Sequence, residues 1–545
     1  MVFLSTLLFS VFITIALIPI FTRVAVRVHL IDVPSERKVH TLPVPISGGI
    51  AMAIGALVPI LLWARKEDFV GWYLIGGGII FISGLIDDLR GLGPKTKFAA
   101  QILAALIVIF PGMVRIENLG MILPDWVLLP DWISIPLTLV TIVGVTNAIN
   151  LSDGLDGLAG GITLLSFCCI GFLAYLMGDT VIALLSVALA GAIFGFLRFN
   201  TYPASIFMGD TGSQFLGFSA ILFSLKLTQG ETCLSPLLPL IILGFPVLDT
   251  ITVMAQRLQE RRPLFVADKN HFHHRLMRLG FFQSESVLLI YILQALLVTS
   301  AFLLRFHSEW LLLIGYLLFS IVVTGAFTLG AKTGYRIRRF DLLDRIVKGK
   351  LKELKESGTI IKVSFRIIEF GMPCLLLFTC FLPVNVSTLA SYLALILIGL
   401  IITVWYFWRR HLSLVLRFGL YLFIPYIIYT GNMDTVSWVT AGLMRYYSLS
   451  FFAFAIFIVL TMKFSRRQQG FKSTPLDFLI LFIALVVPNL PVEEIQSYRL
   501  GLVAAKIITL FFSYEVLMGE LREKFGKLTL FTIISLGVIF VKGLL

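Results

Sequence analysis

The sequence predicts an all-α, polytopic integral membrane protein. Of its 545 residues, 58% are hydrophobic and only 14% are charged, and the mean hydropathy is +0.95. Apolar runs of about 20 residues, the length that spans a bilayer, recur along the chain. This composition excludes an ordinary soluble globular protein.

About eleven spans are predicted before residue 331. They lie near residues 3–22, 46–63, 70–86, 98–111, 132–149, 158–176, 180–197, 212–227, 236–256, 286–304 and 309–330. The first lacks a basic leading segment and a small-residue cleavage site, so we expect it to be retained. About seven more spans are predicted in residues 367–545.

The basic residues of the loops predict the orientation. The loops after the first, third and ninth spans are rich in Lys and Arg, whereas the intervening loops are short or acidic, such as residues 112–131. By the positive-inside rule, the basic loops face the cytoplasm. Alternation of the spans then places every acidic and histidine-rich motif on that side, which predicts one shared site at the cytoplasmic face of the membrane.

The chain has a net charge of +13, and residues 331–366 hold eleven Lys or Arg against four Asp or Glu. Apolar residues recur there at helical spacing, which predicts a basic amphipathic segment on the inner leaflet, held by anionic membrane lipids. A topological stop signal is the alternative. We expect no nucleic-acid partner, because no soluble domain accompanies the charge.

Two adjacent acids, Asp87 and Asp88, end the third span. Carboxylates at a helix end near the bilayer are costly, so they indicate chemistry such as metal binding or proton abstraction. Solvated acids at a helix end are the alternative. Lys97 follows at the start of the next span, where its charge suits a phosphate.

The pattern around Asn147, Asn150, Asp153 and Asp156 is the most specific in the chain. These residues are spaced by three, which places neighbours on one side of a helix or helical turn. The glycines that follow leave room for a ligand or another backbone. A polar helix cap explains one Asn and one Asp, but not four such residues.

Asp210 lies in the sequence Gly-Asp-Thr-Gly-Ser. Its small and hydroxyl-bearing neighbours suit an oxyanion or a hydrated metal, and Mg²⁺ prefers such oxygen ligands. A simple turn with a helix cap is the alternative. Farther along, His271, His273 and His274 suit phosphate binding from a basic cytoplasmic loop. A zinc site, whose usual ligand spacings are absent, and a wholly structural interfacial loop are the alternatives.

Together these motifs resemble the polyprenyl-phosphate N-acetylhexosamine-1-phosphate transferase superfamily, or glycosyltransferase family 4. The resemblance rests on Asp87-Asp88, the Asn147–Ala159 motif, the Asn200–Ser213 motif and the Asp268–Leu276 motif, in that order. It implies an all-helical membrane enzyme that transfers a sugar 1-phosphate from a UDP-N-acetylhexosamine to undecaprenyl phosphate, releases UMP and uses Mg²⁺, with Mn²⁺ as an alternative.

The resemblance also indicates a branch of this superfamily. The stretch Asp32–His40 and the sequence Ile46-Ser47 resemble enzymes that use UDP-N-acetylglucosamine or a close relative. These enzymes start O-antigen, enterobacterial common antigen or teichoic acid linkage synthesis. In the muramyl-pentapeptide branch, the alternative, three histidines are consecutive, whereas Phe272 interrupts them here. A plain N-acetylhexosamine is therefore the expected sugar.

By resemblance, the candidate residues take three roles. The metal would be held by Asp210 with Asp87 or Asp88, and a proton would be taken by Asp87, Asp88 or Asp153. The substrate would contact the remaining residues, namely Asn150, Asp156, Asn200, Lys97, His271, His273 and His274. Phosphoryl transfer depends mainly on geometry and charge neutralisation.

Two alternative functions remain, and the role of residues 367–545 is undetermined by the motifs. A lipid-linked sugar transporter fits the many spans, although its polar groups would be expected near the bilayer midplane. A scaffold without catalysis is the second alternative. Residues 367–545 carry no motif, and we hypothesise an accessory domain that is dispensable for the chemistry. It would provide a homodimer surface, a lipid-delivery path or a fused partner module.

Overall fold

The computed structural model describes residues 2–33, 43–64, 67–123, 128–230, 232–262, 270–333, 359–433, 436–464, 500–520 and 525–544. Their described parts form two compact units, one before residue 334 and one after residue 358. Both units are built of α-helices, which confirms the predicted fold class. Most of the predicted basic segment 331–366, the motif residues Asp268 and Lys269, and most of Asp32–His40 lie outside the described residues.

Helices cover most of each span window predicted in the first unit. The helices are α1 (Val2–Arg27), α2 (Gly48–Trp63), α3 (Asp68–Arg90), α4 (Pro94–Ile109), α5 (Asp131–Leu151), α6 (Leu158–Leu176), α7 (Thr180–Asn200), α8 (Gly209–Thr228), α9 (Leu238–Ile242), α10 (Gly244–Gln259), α11 (Phe272–Arg278), α12 (Gln283–Leu303) and α13 (Glu309–Lys332). Two short antiparallel strands, β1 (Ile31–Asp32) and β2 (Val44–Pro45), precede α2.

Nine helices in the described ranges are long and apolar enough to cross a membrane. Seven of them belong to the first unit and two to the second, and α2 is a shorter apolar helix. A multi-pass membrane protein is therefore confirmed. The numbers of spans predicted for the two units stay predictions.

The ninth predicted span is interrupted at Leu243, between α9 and α10. Pro246 has no N–H group to donate to the carbonyl of Ile242, four residues earlier. That carbonyl instead accepts hydrogen bonds from the Gln294 side chain at 2.7 Å and the Ser166 hydroxyl at 3.0 Å. Neighbouring helices thus satisfy the backbone where the proline breaks the helix.

Helix α8 is buried along most of its length and packs against α2, α3, α5 and α6. Glycines permit the closest of these approaches. A methyl group at Gly84 of α3 would lie 2.6 Å from the Thr211 Cα atom, and one at Gly212 would lie 2.9 Å from the Gly49 Cα atom of α2. Small residues at such crossings let helix backbones meet directly, so the first turn of α8 lies beside the end of α3.

We expect Gly84→Ala to destabilise the first unit by about 1 to 3 kcal/mol, because the added methyl would overlap the backbone of α8. Gly78→Ala is the matched control on the same helix, since a methyl there would meet nothing within 4 Å. Thermal unfolding in detergent would measure both variants. Equal midpoints would contradict the close contact between α3 and α8.

The second unit has its own apolar core. Its described helices are Thr359–Phe381, Thr388–Phe407, Leu412–Met433, Ala441–Phe464, Leu500–Glu520 and Gly526–Lys542. The Lys542 ammonium donates to the carbonyls of Phe381 at 2.6 Å and Pro383 at 2.7 Å, which ties the last helix to the first helix of this unit.

Candidate active site

Asp88 caps helix α8 from the end of α3. Its carboxylate accepts the backbone N–H groups of Asp210 at 2.8 Å and Thr211 at 3.0 Å, and the Thr211 hydroxyl at 2.5 Å. These N–H groups lie in the first turn of α8, where no partner within the helix is available. Gly209, with φ of 68°, precedes them, and a Cβ atom there would lie 2.5 Å from the Asp88 carboxylate. Asp88 therefore fixes the position of Asp210.

Lys97 joins the carboxylates of Asp87 and Asp210. Its ammonium forms an ion pair with Asp87 and lies 2.8 Å from the nearer oxygen of Asp210. The other Asp87 oxygen accepts the backbone N–H of Leu92 at 2.6 Å, just beyond the end of α3. Two carboxylates thus share one cation, and a large charge density is concentrated at the ends of α3, α4 and α8.

A layer of amide side chains lies one turn deeper. Gln214 donates to Asp210 at 3.2 Å and accepts from Gln101 at 3.0 Å. Asn147 donates to Gln101 at 2.7 Å, and Asn150 accepts the Ser213 hydroxyl at 2.6 Å. The last turn of α5 is thereby connected to α4 and α8. The spacing of Asn147 and Asn150 predicted their shared side of the helix, but Gln214 was not identified from the sequence.

Helix α5 ends at Leu151, so Asp153 and Asp156 lie on the turn that follows it. Asp156 accepts the backbone N–H of Ala204 at 2.9 Å. Asn200 is buried and accepts the Gly157 N–H at 2.9 Å while donating to the Ile206 carbonyl at 2.8 Å. Asp156 and Asn200 therefore both join this turn to the segment before α8.

Asp153 lies close to the carboxylates of Asp210 and Asp88. Removal from water, followed by the negative charges of Asp210 and Asp88, raises the pKa of Asp153 to about 8. Tyr291, a residue that the sequence motifs did not indicate, donates its hydroxyl to the Gly157 carbonyl at 2.6 Å and so supports the turn from α12.

The sequence predicts the three histidines on a basic loop, whereas His273 and His274 lie in the first turn of the short helix α11 and His271 directly precedes it. His271 and His273 are buried, and their rings are parallel with centroids 5.8 Å apart. The His273 and His274 ring centroids are 4.2 Å apart. Phe272 packs flat against Phe327 with centroids 4.7 Å apart, which anchors the helix. The phenylalanine that interrupts the histidines thus gives α11 an apolar contact with α13.

His273 links α11 to the turn after α5. A Cβ atom at Gly154 would lie 2.5 Å from the His273 Nε2 atom, so a larger residue there would displace the ring. Removal from water and the neighbouring histidines lower the pKa of His273 well below its usual range. Nε2 has no hydrogen-bond partner among the described residues.

Asp249 of α10 contacts the histidine motif at His271 and Phe272, although the sequence motifs do not include it. Its carboxylate oxygens lie 2.9 Å from His271 Nδ1 and 2.7 Å from the backbone nitrogen of Phe272. A single acid within a predicted apolar span is the signal that could have identified it, since such groups are costly and need partners.

Asp87 and Asp210 are the residues suited to a divalent metal ion. Among the described residues, no group of three or more His, Cys, Asp or Glu side chains could hold a metal. A structural zinc site uses four such ligands. Mg²⁺ instead binds one or two carboxylates and completes its shell with waters and substrate phosphates. Two carboxylates that already share a cation fit that requirement.

Comparison with known proteins relates the chain to sugar-phosphate transferases. The pattern of "Glycosyl transferase family 4" matches residues 70–228. A "Probable undecaprenyl-phosphate N-acetylglucosaminyl 1-phosphate transferase" of Bacillus subtilis is 37% identical over 307 residues, which are 56% of this chain and 85% of the relative. An "Undecaprenyl-phosphate alpha-N-acetylglucosaminyl 1-phosphate transferase" of Escherichia coli is 31% identical over 362 residues, 65% of this chain and 96% of the relative.

Proposed function

Because this chain belongs to glycosyl transferase family 4, we propose that it transfers N-acetylglucosamine 1-phosphate from UDP-N-acetylglucosamine to undecaprenyl phosphate and releases UMP. The names of the related enzymes support this acceptor and this sugar phosphate. The observation that carries the proposal is the shared ion pair of Lys97 with Asp87 and Asp210, beside the Asp153 turn and the histidine cluster.

The proposed reaction breaks one phosphoanhydride bond and forms another. An oxygen of the lipid phosphate forms a bond to the phosphorus that carries the sugar, and the bond from that phosphorus to the bridging oxygen breaks. The bridging oxygen and its electron pair leave with UMP. A phosphate monoester has its second pKa near 6, so the attacking oxygen is largely deprotonated at neutral pH. Positioning and charge neutralisation then supply most of the rate.

The residues of the chain take complementary roles in this proposal. Lys97 moves its charge from the carboxylates toward the phosphates when the substrates bind. Asp88 holds Asp210 through the first turn of α8. Asn200 and Asp156 shape the turn that carries Asp153, and Asn150 lies next to this turn. The three histidines contact the substrate phosphates.

Asp87 and Asp210 would hold Mg²⁺, with Mn²⁺ as a substitute and Asp88 in support. When bound, the ion would neutralise the diphosphate of the nucleotide sugar and stabilise the leaving phosphate. The ion pairs of Lys97 with both carboxylates support this proposal.

The positive-inside rule favours a site that faces the cytoplasm of a bacterial inner membrane, where UDP-sugars are made. There the product would start an envelope polysaccharide. The test is UMP release by purified protein with undecaprenyl phosphate and Mg²⁺, with UDP-N-acetylglucosamine, UDP-N-acetylgalactosamine and UDP-muramyl-pentapeptide offered in parallel. Release only with UDP-N-acetylglucosamine, and only with the lipid, is expected. Silence with all three from folded protein would refute the proposal.

The second unit is proposed to be an accessory membrane domain. The Escherichia coli relative aligns over 96% of its own length but only 65% of this chain, so it is the shorter protein. All candidate site residues lie in the first unit. We expect a chain truncated near Gly358 to retain UMP release in detergent. An inactive but folded and monodisperse truncation would contradict this expectation.

A further inference from the structure

Asp249 and His271 form a buried acid–imidazole pair beside the candidate active site. Asp249 lies on α10 and is 3% exposed, and His271, which directly precedes α11, is 6% exposed. One Asp249 oxygen lies 2.9 Å from His271 Nδ1. The other accepts the backbone N–H of Phe272 at 2.7 Å. Both oxygens of the acid are therefore directed at the first residues of α11.

This arrangement determines where the proton of His271 lies. A carboxylate has acceptor atoms only, so Nδ1 of the imidazole must carry the hydrogen in their shared bond. The other ring nitrogen, Nε2, is then left as an acceptor in neutral His271 and becomes a second donor in the protonated ring. Fixing one nitrogen thereby fixes what the other can do.

The ring of His271 also stacks on the ring of His273. The two rings are parallel, with an interplanar angle of 7°. His273 in turn reaches the turn after α5, where Gly154 leaves room for its Nε2 atom. The acid on α10 is thus connected through two stacked imidazoles to the turn that carries Asp153.

We propose that Asp249 is a positioning residue of the active site, which holds the Nδ1 proton of His271 and so fixes the nitrogen that His271 presents to the substrate phosphates. The role in turnover rests on the proposed transferase function, whereas the fixed tautomer does not. Acids that orient a histidine in this way through its second nitrogen are worth about 10- to 100-fold in activity or affinity in metal sites.

Asp249→Asn separates the two contacts of the carboxylate, with the Phe272 N–H and with His271 Nδ1. The amide oxygen can still accept the Phe272 N–H, but the amide nitrogen would donate to His271 Nδ1 and force the hydrogen onto Nε2. Asp179→Asn is the matched control, because Asp179 caps α7 by accepting the Ile182 N–H at 2.9 Å and lies outside the site. Asn caps helices as well as Asp does.

The first readout is the ¹⁵N spectrum of protein labelled at histidine nitrogen, in which the seven histidines are few enough to assign. His271 is identified by the signal lost in His271→Gln. We expect a protonated Nδ1 in the unsubstituted protein and in Asp179→Asn, and a protonated Nε2 in Asp249→Asn. An unprotonated Nδ1 in the unsubstituted protein would overturn the proposal, whether or not any variant folds.

The second readout is UMP release. We expect Asp249→Asn to lower kcat/KM about 10- to 100-fold, and Asp249→Glu, which keeps the carboxylate, to recover part of that loss. Adding Asp249→Asn to His271→Gln should cost little more, because residues that act as a unit are not additive. Losses that multiply would assign Asp249 a structural role only. An inactive unsubstituted protein would refute the transferase function, while the spectrum would still decide the tautomer.

Discussion

Replacing Asp210 by Asn is expected to lower kcat for UMP release by about 1000-fold, in the range seen when one preorganised electrostatic group is removed from an active site. The amide keeps the shape of the side chain but removes the charge that Lys97 and the proposed Mg²⁺ share. The Mg²⁺ concentration needed for half-maximal rate should rise as well. Both quantities come from UMP release measured across a Mg²⁺ titration.

Asp131→Asn is the control for this variant. Asp131 begins α5 at the end of the helix away from the site, its side chain is 77% exposed, and it pairs with Arg115 at 3.3 Å. Its loss should leave the rate and the Mg²⁺ titration unchanged. Full turnover with an unaltered Mg²⁺ requirement in Asp210→Asn would show that the metal is bound elsewhere.

Replacing Lys97 by Met is expected to lower kcat/KM by about 100-fold. Methionine keeps much of the length and the apolar stem, but it leaves the carboxylates of Asp87 and Asp210 without their shared cation. It also removes the charge proposed to meet the substrate phosphates. Steady-state UMP release at saturating Mg²⁺ would measure the loss.

Lys95→Met provides the comparison for this lysine. Lys95 lies on the first turn of the same helix, but it is exposed and forms no ion pair in the described structure. We expect near-normal turnover from it. If Lys95→Met and Lys97→Met lost activity equally, general attraction of anionic substrates, rather than the ion pair at Lys97, would explain both effects.

The acidic motifs could be predicted to meet because the costs of charge in a membrane are large. Carboxylates such as Asp87, Asp153 and Asp210 are tolerated only at span ends or in polar sites. The basic loops give the direction of each span. These two constraints place the acids on one side, and the structure brings Asp87 and Asp210 to the same ammonium group.

The roles of individual residues depended on contacts that spacing does not encode. Asp87 and Asp88 are equivalent in the sequence, and the register between α3 and α8, set where Gly84 meets Thr211, directs Asp88 to cap α8. The sequence did not indicate Asp249 as a site residue, because one acid leaves the mean hydropathy of a span high. The break before α10 depends on side chains from α6 and α12 that donate hydrogen bonds to the freed carbonyl.

The most direct test of the central claim is the fate of UDP-N-acetylglucosamine labelled with ³²P at the phosphate next to the sugar. Purified protein, undecaprenyl phosphate and Mg²⁺ would be incubated, and the lipid and aqueous phases would be separated. The account predicts that the label and the sugar enter the lipid phase together while unlabelled UMP stays in water. Label that remained in water as UDP, with the sugar alone on the lipid, would contradict phosphosugar transfer.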